Sequence, residues 1–122
     1  MELAGSLAEM KKNVLPRDYP DMDFSKLNIY LVEGGAHTLQ NMSEASQKKS
    51  CGYLEKMGVK ILLNTTVQDY DGKILMLKGG YAIRTRNMIW TAGVTGNMLT
   101  GVPEELIVKG NRIKVDIYNS SL

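Results

Sequence analysis

The stretch Leu27-Asn28-Ile29-Tyr30-Leu31-Val32-Glu33-Gly34-Gly35 decides how the rest of the chain is read. Leu27, Ile29, Tyr30, Leu31 and Val32 make it predominantly apolar, the composition of a strand covered on both faces, as in a parallel sheet. Such a strand then meets a single acid and two glycines. In open α/β sheets ligands sit outside the carboxyl ends of the strands, where an acid can accept hydrogen bonds from both hydroxyls of an adenosine ribose and glycines let the backbone come close. Glu33 is the candidate for that acid. The same tripeptide also serves as an ordinary solvated turn, because glycine supplies positive φ and glutamate is cheap at a surface.

Downstream, residues 34–42 read as a loop. Ser43 and Glu44 then form a cap and first-turn acid for a helix running to Met57. Leu54 and Met57 make its inner face, and Gly58 suits the position just past its end. Residues 59–63 are the next strand. Upstream, Leu3, Leu7, Met10 and Val14 fall at helical spacing over residues 2–15, with Lys11 and Lys12 near the end where the dipole favours cations. Pro16 is expected to end that helix, and residues 17–26 form a polar connection. Helix, strand, helix, strand is a βαβ rhythm with its first strand missing. No capping side chain stands before Glu2, so the first turn's N–H groups are expected to find partners in a preceding segment.

The pattern changes after Leu63. Residues 66–70, 73–77 and 81–85 read as three short strands joined by Asp71-Gly72 and Gly79-Gly80, hairpin turn chemistry that predicts an antiparallel meander. Residues 87–90 are expected to return to a buried strand that runs into the small residues of Thr91-Ala92-Gly93-Val94, a sign of close backbone approach. Residues 96–110 read as loop and residues 112–117 as one more strand.

Composition narrows the function classes. The 122 residues give room for one domain, and 43% hydrophobic content supports an ordinary core. A net charge of +2 with no basic arm argues against nucleic acid. No signal-peptide pattern and no membrane-length apolar run is present, and a cytoplasmic location is expected. One cysteine, Cys51, excludes an internal disulfide and reads as a packed hydrophobe. His37 is the only histidine, so neither a zinc site nor a Ser/His or Cys/His nucleophile set is expected.

In order along the chain, Glu2-Leu3-Ala4-Gly5-Ser6-Leu7-Ala8-Glu9, the strand 29–33, Met42-Ser43 opening a helix, Tyr53-Leu54-Glu55-Lys56-Met57-Gly58-Val59, the meander, and Ile89-Trp90-Thr91-Ala92-Gly93-Val94-Thr95-Gly96-Asn97 resemble the type II NADH dehydrogenases. These belong to the FAD-dependent pyridine nucleotide-disulfide oxidoreductases, flavoproteins with two dinucleotide-binding domains. The resemblance implies an α/β fold: a truncated Rossmann-like NAD-binding domain with a parallel sheet and a three-stranded meander, its first strand and glycine turn missing. Residues 1–97 would be the partial NAD(H)-binding domain and residues 98–122 the start of the return to the FAD domain.

Family members pass a hydride from NADH to FAD and electrons on to a quinone, as peripheral enzymes on the cytoplasmic membrane face. Carried over by position, Glu33 and Gly34 match the ribose-binding tip and Val67 the residue along the adenine. Ala92 and Gly93 match small residues near the nicotinamide and flavin, with Thr91 standing where the family often has alanine. Glu2 is the candidate catalytic residue, matching a carboxylate beside the nicotinamide that would assist proton or quinone chemistry, a position the helix dipole also explains. Glu33 would repel a ribose 2′-phosphate, and residues 34–42 contain no Lys or Arg, which favours NADH over NADPH.

The family's G-x-G-x-x-G turn and FAD motif do not occur in these 122 residues. The chain alone is therefore expected to be inactive and to hold no cofactor tightly. A central strand supplies about five buried side chains, on the order of 10 kcal/mol. Without it, self-association or strand exchange is expected. Alternatives are a segment of a sulfide:quinone or ferredoxin reductase, or a non-catalytic self-associating remnant.

Overall fold

The computed structural model describes residues 1–120. They fall into two compact units, Met1–Met88 and the described residues from Ile89 onward, each taken by itself.

The first unit opens with α1 (Glu2–Glu9), whose N-cap Met1 offers no side-chain partner. Pro16 does not end the helical run. A π-helical turn (Met10–Val14) leads into α2 (Leu15–Asp18) with the proline in its first turn. Proline has no N–H to give the carbonyl four residues back, and its ring clashes there in a regular helix. The wider turn, in which the Leu15 N–H bonds to the Met10 carbonyl, absorbs both problems. The polar connection that follows contains one 3₁₀ turn (Phe24–Lys26), capped by Asp23 accepting from the Ser25 N–H at 2.9 Å.

β1 (Ile29–Val32) and β2 (Val59–Leu62) pair in parallel, Ile29 opposite Val59 and Val32 opposite Leu62. Between them runs α3 (Glu44–Lys56). It forms where the sequence signals it: the Ser43 hydroxyl accepts from the Ser46 N–H, and Gly58 turns the chain at φ +84° while its N–H bonds to Glu55. Ala4 and Ala8 of α1 and Leu54 of α3 pack with Val59, Ile29, Leu31 and Ile61, so both helices cover the same face of the pair. The small alanines let α1 lie close to that face.

The reading of β1 as buried on both sides is corrected. Ile29 and Leu31 are half-buried, whereas Tyr30, which points the other way, is 38% exposed, with the Lys60 ammonium 5.2 Å from its ring centroid. Helices cover one face of the pair only, so the apolar run overstated its enclosure. Among the described residues β1 pairs with β2 alone.

The meander forms as expected, in the order β3 (Val67–Tyr70), β4 (Ile74–Leu77) and β5 (Ala82–Arg84), with a bulge between Val67 and Asp69. Leu75 and Leu77 are buried while Met76 points outward, the period of two that a one-sided sheet requires. In the first turn Asp71 Oδ1 accepts from the N–H groups of Ile74 at 2.7 Å and Lys73 at 2.8 Å, which holds its carboxyl below the usual aspartate value.

The expected strand at residues 87–90, which straddles the boundary of the two units, is absent. Residues 87–99 carry no regular structure, and Trp90 is 61% exposed. Four residues cannot make a strand without a neighbour to pair with, and among the described residues no strand pairs with them. The expected loop at 96–110 holds a 3₁₀ turn (Glu104–Leu106) and β6 (Ile107–Val108). The strand expected at 112–117 is reduced to β7 (Arg112–Ile113), antiparallel to β6. Asp116 then caps a turn, its carboxylate accepting from the Tyr118 and Ser120 N–H groups. Among the described residues no helix is long and apolar enough to cross a membrane.

Candidate functional site

The carboxyl end of β1 is fixed by the chain leaving β2. The Glu33 N–H continues the ladder to the Leu62 carbonyl at 2.9 Å, the Thr65 N–H returns to the Glu33 carbonyl at 2.9 Å, and the Asn64 N–H reaches the Gly35 carbonyl at 2.8 Å. Asn64 sits at φ +51°, the left-handed conformation that asparagine tolerates, and so reverses the chain toward the acid. The tip is therefore backbone-braced on both strands.

Glu33 is half-buried, and its Oε1 accepts from the Gly35 N–H at 2.8 Å. One carboxylate oxygen thus orients the group and leaves the other to accept from a ligand. Gly34 lies near Thr66: a Cβ there would be 3.9 Å from the Thr66 hydroxyl. Gly35 is a notch, since a Cβ would fall 1.5 Å from the amide nitrogen of Gln40 and 3.3 Å from Glu33 Oε1. Val67, at the start of β3, is half-buried two residues past Thr65. Glu33, Gly34 and Val67 are thus gathered at one end of the strand pair. Glu2 stands exposed at the start of α1. Ala92 and Gly93 are exposed in the second unit, Gly93 at φ +83°, where an L side chain would be strained.

Two side chains that the sequence did not single out, Thr38 and Gln47, hold the loop after Glu33. Thr38 is 2% exposed, and its hydroxyl lies 2.9 Å from Ser50 Oγ and 3.2 Å from Cys51 Sγ. Ser50 already donates to the Gln47 carbonyl at 2.8 Å, so Thr38 donates to Ser50 and the thiol donates to Thr38. Cys51 is thus a hydrogen-bonded structural thiol. Gln47 donates to the Met42 carbonyl at 2.9 Å and, more weakly, to those of Gln40 and Leu39. Leu39 itself takes φ +56°, a conformation that costs a branched residue about 1–2 kcal/mol and turns Gln40 back over Gly35. Thr38, Gln40 and Gln47 have no periodicity to betray them. The available signal was the density of polar residues in a loop following a strand-end acid.

Two clefts of about 410 and 430 Å³ lie elsewhere in the first unit. The first is lined by Lys73, Ile74, Arg84, Thr85 and Arg86, and the second by residues around Tyr30 and β5; neither includes Glu33. Both are open at the surface. The chemistry at the strand tip carries more weight than their volume, because a braced carboxylate beside a glycine notch is a directed acceptor. Among the described residues no group of three His, Cys, Asp or Glu side chains is placed to hold a metal ion.

Comparison with known proteins agrees with the α/β architecture. A type II NADH:quinone oxidoreductase of Haemophilus influenzae is 28% identical over 100 residues, covering 82% of this chain and 22% of that protein. The type II NADH:quinone oxidoreductase Ndh of Mycobacterium tuberculosis is 26% identical over 103 residues, covering 81% and 22%. The chain thus spans about a fifth of the length of these curated relatives. The solved structure of NDH2 from Plasmodium falciparum in complex with NADH superposes with a TM-score of 0.74 at 17% identity, over 90% of this chain and 27% of that one, which establishes the shared fold. Residues 1–121 match the family model described as pyridine nucleotide-disulphide oxidoreductase, and the chain belongs to that family.

Proposed function

We propose that the chain is the NADH-binding portion of a type II NADH:quinone oxidoreductase, and that by itself it keeps only the adenosine side of the dinucleotide site. The observation that carries this reading is Glu33: a carboxylate at the end of a parallel strand, with Oε1 tied to the Gly35 N–H beside a glycine notch and the second oxygen left to accept. That acceptor fits a vicinal diol, since a carboxylate accepts from two hydroxyls where a phosphate would be repelled. The two curated relatives are named as NADH:quinone oxidoreductases and the solved neighbour is a complex with NADH, which supports the same ligand here.

In the longer protein the nicotinamide would supply a hydride to FAD, and electrons would pass to a quinone at the membrane surface. Within this chain Glu33 holds the ribose, Gly34 admits it and Val67 lies along the adenine. Ala92 and Gly93 are assigned to the close approach of nicotinamide and flavin, and Glu2 to the nicotinamide side. Residues 1–97 serve as nucleotide-binding domain and residues 98–122 begin the return segment.

The test is titration of the chain with NADH, followed by amide NMR. Shifts are expected at residues 33–35 and 64–67, with a Kd near or above about 1 mM, equivalent to ~4 kcal/mol, and no oxidation of NADH. Glu33→Gln is expected to abolish the shifts. Micromolar binding by calorimetry would overturn the assignment of a partial site, and shifts confined elsewhere would overturn Glu33.

A second reading, of a self-associating module, is favoured by one observation: among the described residues β1 has a partner on one side only, and its run Ile29-Tyr30-Leu31-Val32 carries no charge to deter edge pairing. A strand of a second copy would complete it. Sedimentation that finds a cooperative monomer at all concentrations would remove this reading.

A further inference from the structure

We propose that Gln40 is the second half of the ribose clamp, donating its side-chain amide to the diol whose hydroxyls Glu33 accepts; this rests on the adenosine-site reading above. A carboxylate alone can only accept, whereas each ribose hydroxyl is both a donor and an acceptor and is fully satisfied only when something donates back. Gln40 stands where that donor is needed. Its amide nitrogen fills the space over Gly35 that a Cβ would take, on the side of Glu33 Oε1, so the amide donor and the carboxylate acceptor stand next to each other at the strand tip.

Gln40 is held there by more than chance. The left-handed turn at Leu39 aims the chain back at Gly35, the Met42 N–H closes that turn onto the Leu39 carbonyl at 2.8 Å, and Gln47 pins the carbonyls on either side. Thr38, buried against Ser50 and Cys51, anchors the loop one residue before Leu39. The Gln40 side chain itself has no hydrogen-bond partner among the described residues and is exposed, so its donors are available. The backbone around Gln40 is thus fixed while its side-chain donors stay free. Being neutral, Gln40 also adds nothing that could offset the repulsion of Glu33 for a 2′-phosphate, so the clamp keeps to the unmodified diol.

The experiment compares AMP with 2′-deoxy-AMP on the full 122-residue chain by amide NMR titration, for the native sequence, Gln40→Leu, Gly35→Ala and Glu33→Gln. Gln40→Leu is expected to weaken AMP binding about 3- to 10-fold, the size of one hydrogen bond, and to leave 2′-deoxy-AMP nearly unchanged. Gly35→Ala, which pushes the flexible amide aside without altering it, is expected to act in the same direction. Gln40 is exposed, so resonances outside residues 33–42 should stay in place and report an intact fold. If Glu33→Gln lowers AMP affinity while Gln40→Leu leaves the ratio of the two ligands as in the native chain, the clamp is wrong and the adenosine site stands. If Glu33→Gln has no effect, or AMP shifts no residue near the strand tip, the underlying site fails and the clamp with it.

Discussion

The two units of this chain are held together by different things. Among the described residues every buried side chain (Ala4, Ala8, Thr38, Leu54, Val59, Leu75 and Leu77) lies in Met1–Met88, whereas residues 89–120 bury none and leave Ile117 at 88% and Val94 at 80% exposure. The second unit keeps its shape by turn chemistry: Gly96 joined to Gly110 through the backbone, the Asn111 amide on the Gly96 carbonyl, and Asp116 capping two N–H groups. Caps and turns each contribute about 1 kcal/mol, and burial of a large side chain contributes about 1.5–3 kcal/mol. The first unit is therefore a folding unit and the second a string of local motifs.

The largest effect that tests this contrast is a pair of truncations. Leu54→Ala removes the α3 side chain that packs α1, α3 and β2 together and is expected to cost about 2–5 kcal/mol. Ile117→Ala removes a side chain that touches water, and its cost should stay within about 0.5 kcal/mol. Denaturant midpoints measure both. Hydrogen exchange gives the same answer without mutation, with α3 and β2 amides protected far more than those of residues 89–120. Equal costs would mean that the second unit contributes to a core after all.

The same contrast explains how much could be read from the sequence. The β1-α3-β2 rhythm, the Ser43 cap, the Gly58 stop and both meander turns were legible because each rests on residues close in the chain. Glu33 and Gly34 lie just past β1, where the same local pattern put them, whereas Val67 was named only through the family resemblance. What escaped depends on neighbours far along the chain or on loop geometry. Residues 87–90 have the composition of a strand, but a strand is made by its partner. Pro16 breaks a regular helix but not one that widens by a π turn. Burial of β1 was overestimated because an apolar run does not tell which face the helices cover. Thr38 and Gln40 lie in a loop whose conformation is set by Gln47, Ser50 and Cys51 of the following helix, and no periodicity carries that information.

Thr38 offers an intermediate effect. Thr38→Val keeps the shape and removes the hydroxyl that joins the loop to α3, so it is expected to cost about 1 kcal/mol. It also frees the Cys51 thiol from its acceptor. Thiol-labelling kinetics on the folded chain should rise, while Leu54-centred packing, followed through side-chain methyl resonances, should not change. A loss of α3 exchange protection as large as that of Leu54→Ala would place Thr38 in the core rather than at a loop anchor.

The smallest effect compares two turns built on the same chemistry. Asp71 caps the first meander turn through the Ile74 and Lys73 N–H groups, and those bonds favour the ionised carboxylate, lowering its pKa from the ordinary 3.8. A group whose folded pKa is depressed stabilises the fold above its unfolded value and loses that contribution as pH falls through the folded value. The turn is therefore at full strength above pH 3.8 and weakens below it. Carboxyl resonances followed against pH should locate that midpoint below 3.8. In Asp71→Ala the exchange of the Lys73 and Ile74 amides should quicken while β4 stays paired, because Leu75 and Leu77 remain buried behind the turn. Asp116→Ala removes the equivalent cap in the second unit, where no buried side chain stands behind it, and the turn at residues 116–120 should lose its order outright. If both turns survive truncation equally, local hydrogen bonds are not what separates the two units.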